Sequence, residues 1–187
     1  MSLISRLFGP QPGRLCDHEI ERAIDRHELD IRPFAPGHLQ PASYDLTLGR
    51  AILIGGAPDW HPRDLIDDGP CEMHPGSFLL AATAEIVFCG PRIVGMINGK
   101  SSIGRTGLQV ECAGFIDPGF CGTLTLELAN LGPGSMLLRP GMPIAQVSFE
   151  RLSRAARRPY GSPALGSHYQ GQMRARSSHL SRSGWRS

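Results

Sequence analysis

The stretch AGFIDPGFCGTLTLELAN, residues 113–130, reads as a turn followed by a strand, and one residue in it is out of place. Glu127 sits inside TLTLEL (123–128), where β-propensity disfavours a carboxylate. A strand alternates its faces, so Leu124, Leu126 and Leu128 share one side while Thr123, Thr125 and Glu127 share the other. The leucine side reads as core. The polar side is either solvent-facing or the wall of a cavity, and the alternation by itself leaves both open.

Outward from this run the same period of two recurs. DLTLGRAILI (45–54) places Leu46, Leu48, Ile52 and Ile54 on one face, and FLLAATAEIVF (78–88), RIVGMI (92–97), LQVEC (108–112) and PIAQVSF (143–149) read as further short strands. Gly, Pro and Asp punctuate them at the intervals of a barrel or jelly roll. LCDHEIERAIDRHEL (15–29) has apolar Ile20, Ala23 and Ile24 behind a candidate N-cap, Asp17, and predicts a short amphipathic helix. IRPFAPGHLQPAS (31–43), rich in Pro and Gly, predicts an ordered connecting loop. There is no internal repeat. The expectation is a mainly β fold, a distorted barrel or jelly roll with a short N-terminal helix.

The chain of 187 residues, 41% apolar, suits one domain with short appendages. No run approaches the roughly 18 apolar residues of a membrane helix. MSLISRLFGPQPGR is too short and too broken by Pro and Gly for a secretory signal. Five cysteines at irregular spacings (16, 71, 89, 112, 121) do not suggest a disulfide framework, so a reduced, cytoplasmic setting is expected. Net charge is +2, unevenly spread: Arg151 to Ser187 carries eight arginines and no acid, leaving the first 150 residues with 11 basic and 17 acidic side chains. A basic tail on an acidic body fits an anionic partner, nucleic acid or nucleotide phosphate, and equally a solvated tail ending SSHLSRSGWRS.

Two familiar chemistries are excluded by spacing. GMINGKS (95–101) has three residues before its Gly-Lys pair where a Walker A loop needs four. The His-x-Glu and Pro-Cys-x-x-Cys of zinc deaminases are both absent; PCEMH (70–74) offers Cys71 and His74 without a second pair of ligands.

ASYDLTLG (42–49), GKSSIGRTGL (99–108), AGFIDPGFCGTLTLEL (113–128) and RPGMPIAQVSF (139–149) occur in that order. They are flanked by RLCDHEIERAI (14–24) and by RPYG (158–161) and GSHYQGQ (166–172). Together they resemble the dCTP deaminase branch of the trimeric dUTPase-like superfamily, over residues 14–172. The resemblance implies a dUTPase-like barrel, a homotrimer with shared active sites, and hydrolytic deamination of dCTP to dUTP without a protein-bound metal. Mg2+ would arrive on the substrate triphosphate. It implies a lead-in at 1–13, a β domain at 14–160, and a C-terminal lid with basic tail at 161–187. Neither a membrane nor nucleic acid is an implied partner.

By the same resemblance Glu127 is the catalytic carboxylate. The Ser101 hydroxyl and Ala113 carbonyl hold the attacking water, and Arg105 orients Glu127. Lys100, Ser102, Gln146, Tyr160, His168 and Gln172 meet the phosphates, the last two from the lid. Asp117 takes the 3′-hydroxyl, Phe120 packs under the sugar and excludes a 2′-hydroxyl, and Thr125 and Leu126 border the base. The chemistry supports the central assignment independently: one carboxylate in reach of water and ring N3 can shuttle both protons, a role worth about 10²–10⁴ in rate.

The AGFIDPGF wording resembles members that also cleave the triphosphate to dUMP and pyrophosphate. Two departures bear on specificity. The run from Arg105 to Ala113 is one residue shorter than is usual, with Glu111 and Cys112 in place of a His-led segment; such a deletion reverses the facing of a strand unless a bulge absorbs it. His168 stands where lysine is usual, leaving Arg174 or Arg176 to supply that charge. Two alternatives follow: deamination of a related or modified deoxycytidine nucleotide, and a non-catalytic nucleotide-binding or sensing protein on the same scaffold. A pure dUTP pyrophosphatase is disfavoured, since no Phe follows Phe149 to close a C-terminal arm.

Overall fold

The computed structural model describes residues 11–56, 58–111 and 114–179. Along the chain run β1 (Gly13–Arg14), α1 (Asp17–Asp25), β2 (Leu29–Arg32), β3 (Leu39–Gln40), β4 (Ser43–Gly56), β5 (Asp59–Asp64), β6 (Cys71–Met73) and β7 (Phe78–Cys89). After them come β8 (Ile93–Gly99), α2 (Ser101–Gly104), β9 (Leu108–Glu111), β10 (Phe115–Ile116), β11 (Cys121–Asn130), β12 (Met136–Leu138) and β13 (Pro143–Arg151). The main sheet is antiparallel, in the order β10-β8-β13-β4-β7-β11-β9, with β1, β2, β3 and β5 as side strands. The remaining pair is β12-β6. The sheet curls until its far strands meet: a Cβ built on Gly99 of β8 would lie 3.4 Å from Cβ of Val110 in β9. The fold is the mainly β, distorted barrel expected.

The curl encloses the side chains that the alternation selected. Leu46, Leu48 and Ile52 of β4, Leu126 and Leu128 of β11, and Val147 and Phe149 of β13 are at most 1% exposed. Each such burial is worth about 1.5–3 kcal/mol. Helix α1 closes one side through Ile20 and Ala23. It starts one residue earlier than expected, with Cys16 at the N-cap, whose N–H and thiol both donate to the Glu19 carboxylate (3.1 and 3.2 Å). The backbone hydrogen bond, reinforced by the thiol, holds the Glu19 carboxyl below the usual carboxylate range. The expected loop 31–43 is in fact partly strand: Ile31, buried, and Arg32 end β2, which pairs with 86–89 of β7, and Leu29, expected at the end of the helical segment, opens that strand. Tertiary pairing here overrides the Pro- and Gly-rich composition.

Strand β11 lies between β7 and β9, and its register shifts between Thr123 and Thr125. The extra residues are on β7, where 83–85 stand opposite Leu124 alone, and this bulge leaves a β11 backbone donor without a ladder partner. Leu124 N–H donates instead to the Thr83 hydroxyl at 2.9 Å, and that hydroxyl donates to Glu85 O at 2.8 Å. The expected alternation holds in β11, with Leu124 buried in the core as well, and departs only at the buried Thr123. Leu126 and Leu128 are core, Thr123 is buried, and Thr125 and Glu127 are half-buried on the other face. Replacing Thr83, 2% exposed, by the isosteric Val strands that N–H. Urea denaturation of Thr83→Val should show a loss of about 1–3 kcal/mol, with Thr83→Ser closer to wild type.

Candidate active site

Residues of 113–130, two of them shared with the core, line a cleft of about 620 Å³. Asp117 and Phe120 come from the turn before β11, Leu124, Thr125 and Glu127 from β11, and Tyr160, Tyr169, Gln172, Arg176 and Ser178 from the C-terminal segment. Trp60, Phe78 and Leu80 form an apolar end. The size falls within the usual range of ligand sites, roughly 300–1,000 Å³.

The turn is dictated locally. Asp117-Pro118-Gly119-Phe120 closes with Phe120 N–H on Asp117 O at 3.0 Å, and Gly119 has φ +96. Proline followed by a residue at positive φ is the type II arrangement. A Cβ on Gly119 would also collide with Tyr160 O at 2.7 Å, so glycine lets the 159–160 backbone lie directly on the turn. Tyr160 N–H then reaches Pro118 O (2.7 Å), and its ring meets Phe120 with centroids 5.8 Å apart. Phe120, 7% exposed, is thus both core and cleft wall. Beneath the turn Cys89 is an inert thiol, its pKa pushed well up by burial and further by the Asp117 carboxylate.

The segment after Tyr160 straps itself to β11. Gln170 clasps the turn, donating to Gly119 O (2.9 Å) and accepting from Cys121 N–H (3.1 Å). Gly171 N–H reaches Cys121 O (2.8 Å), and Thr123 N–H reaches Gln172 O (2.8 Å). The buried Gln172 amide donates to Thr123 O at 2.6 Å. Arg176 N–H donates to the Thr125 hydroxyl at 3.2 Å, while Ala175 packs on Leu80 and Ala82 beside Leu53 and Trp60.

Of the residues expected in a site, Asp117, Phe120, Thr125, Glu127, Tyr160 and Gln172 share this cleft. Leu126 does not line it, because its side chain is wholly core. Ser101, Ser102 and Arg105 lie on and just after α2, exposed and outside the cleft lining. Lys100 and Gln146 stand beside them, outside it too. Gln146 pairs in register with Asp45 and Asn98, and Lys100 is ion-paired to Asp45. Asp45, 6% exposed, also accepts from Gln40 and was missed in the sequence; the only signal was an acid inside the strand run DLTLG. His168 stacks on His179 with ring centroids 4.0 Å apart and does not line the cleft. Ala113 lies outside the described residues. In the shortened segment, β9 pairs with β11 without a shift, Glu111 opposite Glu127, with Leu108 buried and Gln109 exposed. Leu124 is core, as expected, and also borders the cleft. Cys71 is buried while His74 is exposed and bonded to Ser135, so the PCEMH pair shares no site.

A turn that carries an acid and an aromatic, a strand that offers a carboxylate, and a strap across both define a small-molecule site of the nucleotide-enzyme kind. The sequence profile of the dCTP deaminase-like family matches residues 14–152, and the chain belongs to that family. It is 40% identical over 172 residues to a protein named dCTP deaminase, dUMP-forming, from Salinispora tropica, covering 84% of this chain and 90% of that one. The protein of the same name from Clavibacter michiganensis is 41% identical over 182 residues, covering 89% and 90%. Among solved structures, the 2′-deoxycytidine 5′-triphosphate deaminase of Agrobacterium tumefaciens has the same fold, with a TM-score of 0.64 at 21% identity. That match covers 76% of this chain and 49% of the other.

The strap depends on a bare backbone at Gly122, where an added Cβ would lie 2.8 Å from Gln172 O. Gly122→Ala should loosen the strap while the barrel stays folded. The expected readout is trypsin cleavage after Arg174 and Arg176 at least about 10-fold faster than in wild type, from the loss of two or more hydrogen bonds, with an unchanged far-UV spectrum.

Proposed function

We propose that this protein deaminates dCTP and carries the product on to dUMP and pyrophosphate. The observation that carries the reading is Glu127 in the wall of a cleft shared with Asp117 and Phe120. The names of relatives near 40% identity support the same reaction. Water adds to C4 as Glu127 takes its proton and returns it to N3. The C4–N bond then breaks as Glu127 passes the C4 hydroxyl proton to the exocyclic nitrogen, which leaves as ammonia while C4 keeps the oxygen as a carbonyl. A second water, in the second step, cleaves between the α- and β-phosphates. Mg2+ enters on the triphosphate as part of the substrate.

In this reading Asp117 accepts from the 3′-hydroxyl and Phe120 supports the sugar, with β11 setting Thr125 beside the base. Ser101, Ser102, Arg105, Lys100 and Gln146 form a second half-site that serves the cleft of a neighbouring copy. This supports a homotrimer of barrels spanning 14–160, with residues 161–187 as lid and tail, working in the cytoplasm. The placement of these five residues outside the cleft of their own chain favours sharing over a self-contained monomer site.

Chromatography of products from dCTP and Mg2+ should give dUMP and pyrophosphate in equal amounts. Glu127→Gln should lower the rate by about 10²–10⁴. Release of dUTP alone would remove the second cleavage from the reading; dCTP binding with no turnover would make the protein a nucleotide binder. Sharing has its own test. Co-expressed Glu127→Gln and Arg105→Ala chains, each inactive alone, should regain about a quarter of the wild-type rate by random pairing across a head-to-tail interface. No regain would make each site the property of one chain.

A further inference from the structure

The cleft holds two carboxylates, Asp117 and Glu127, and among the described residues that line it Arg176 is the one cationic side chain. A phosphorylated ligand entering a cleft of that charge meets repulsion unless a cation offsets it. The other cations that the sequence offered are engaged or elsewhere. Lys100 is tied to Asp45, His168 is stacked on His179, and Arg105 and Arg174 do not line the cleft.

Arg176 is held in place at its root. Its N–H sits on the Thr125 hydroxyl at 3.2 Å, and the preceding Ala175, 8% exposed, is packed into the small cluster of Leu80 and Ala82. The side chain beyond this anchor is exposed. Such a residue loses little freedom on engaging a ligand, because the main chain is already fixed, and a guanidinium presents a fork that fits two phosphate oxygens at once.

Resting on the nucleotide reading above, we propose that Arg176 is this chain's phosphate-binding cation, delivered to the cleft by the C-terminal strap, and that His168 and Arg174 do not fill that role. It makes affinity for the phosphate chain depend on strap docking, since the hydrogen bond that seats Arg176 is made only when the strap lies on Thr125.

The test is titration calorimetry of the full-length protein with three probes: dCTP, deoxycytidine and inorganic tripolyphosphate. Arg176→Ala should weaken dCTP and tripolyphosphate by about 10- to 100-fold, the worth of a charge-assisted pair. It should leave deoxycytidine within about twofold, and Arg176→Lys should recover part of the loss. Arg174→Ala should change none of the three by more than about twofold. Equal weakening of dCTP and deoxycytidine by Arg176→Ala would put the guanidinium at the base end and overturn the proposal. So would unchanged binding of the two anions, or a larger loss in Arg174→Ala. Tripolyphosphate separates this proposal from the nucleotide reading. If wild type binds it through Arg176 but ignores dCTP, the cation site stands and the nucleotide reading falls; if wild type binds neither, both fall.

Discussion

The N–H of Leu124, left without a ladder partner by the bulge in β7 opposite it, rests on the Thr83 hydroxyl at 2.9 Å, and the functional face of the protein depends on that bond. The extra residues sit on β7, so β11 keeps its alternation: Leu124, Leu126 and Leu128 fill the core while Thr125 and Glu127 face the cleft, and Thr123 is buried under the strap. An unpartnered N–H at a buried position would make such a kink costly. Thr83 removes that cost and passes its own hydrogen to Glu85 O. Glu85 in turn accepts from the N–H and hydroxyl of Thr47 in β4, so the bulge is stitched to strands on both sides of β7.

Charge is divided between two parts of the surface. The cleft of a single chain is acidic apart from Arg176, whereas the α2 region gathers Lys100, Arg105, two serines and the start of a helix. Asp45 explains why Lys100 keeps a fixed position there: a carboxylate 6% exposed on β4 needs a counter-charge, and the turn after β8 brings the chain's single lysine to it. Neither part is a complete site for an anionic nucleotide. Under the proposed function, a neighbouring copy brings the two parts together.

The strap shows how a segment of low apolar content is held without a core of its own. Gln170, Gly171 and Gln172 continue the hydrogen bonding of β11 at Cys121 and Thr123, Tyr160 and Tyr169 accept N–H groups from later in the segment, and Ala175 adds one small apolar contact. Most of the stabilisation is hydrogen bonding at partly exposed positions, each bond worth about 0.5–1.5 kcal/mol. Such a segment opens at lower cost than the barrel unfolds. It therefore suits a lid.

By itself the sequence determined the β class, the strands with clean alternation, and the DPGF turn, because period-two burial and the Pro-Gly pair act through local geometry. It also marked Glu127, since a carboxylate in a leucine-rich strand asks for a polar environment. It missed β5, β6 and β12, short strands whose stability comes from neighbours, and it read the end of β2 as loop, because pairing with β7 outweighs local composition there. Only the tertiary structure decided the β7 bulge that frees the Leu124 N–H, the pairing of Asp45 with Lys100, the stacking that keeps His168 out, and the strap that brings Arg176 in. Apart from the stacking of His168 on the nearby His179, each joins residues about 40 or more positions apart or rests on a strand register, and neither propensity nor spacing carries that information.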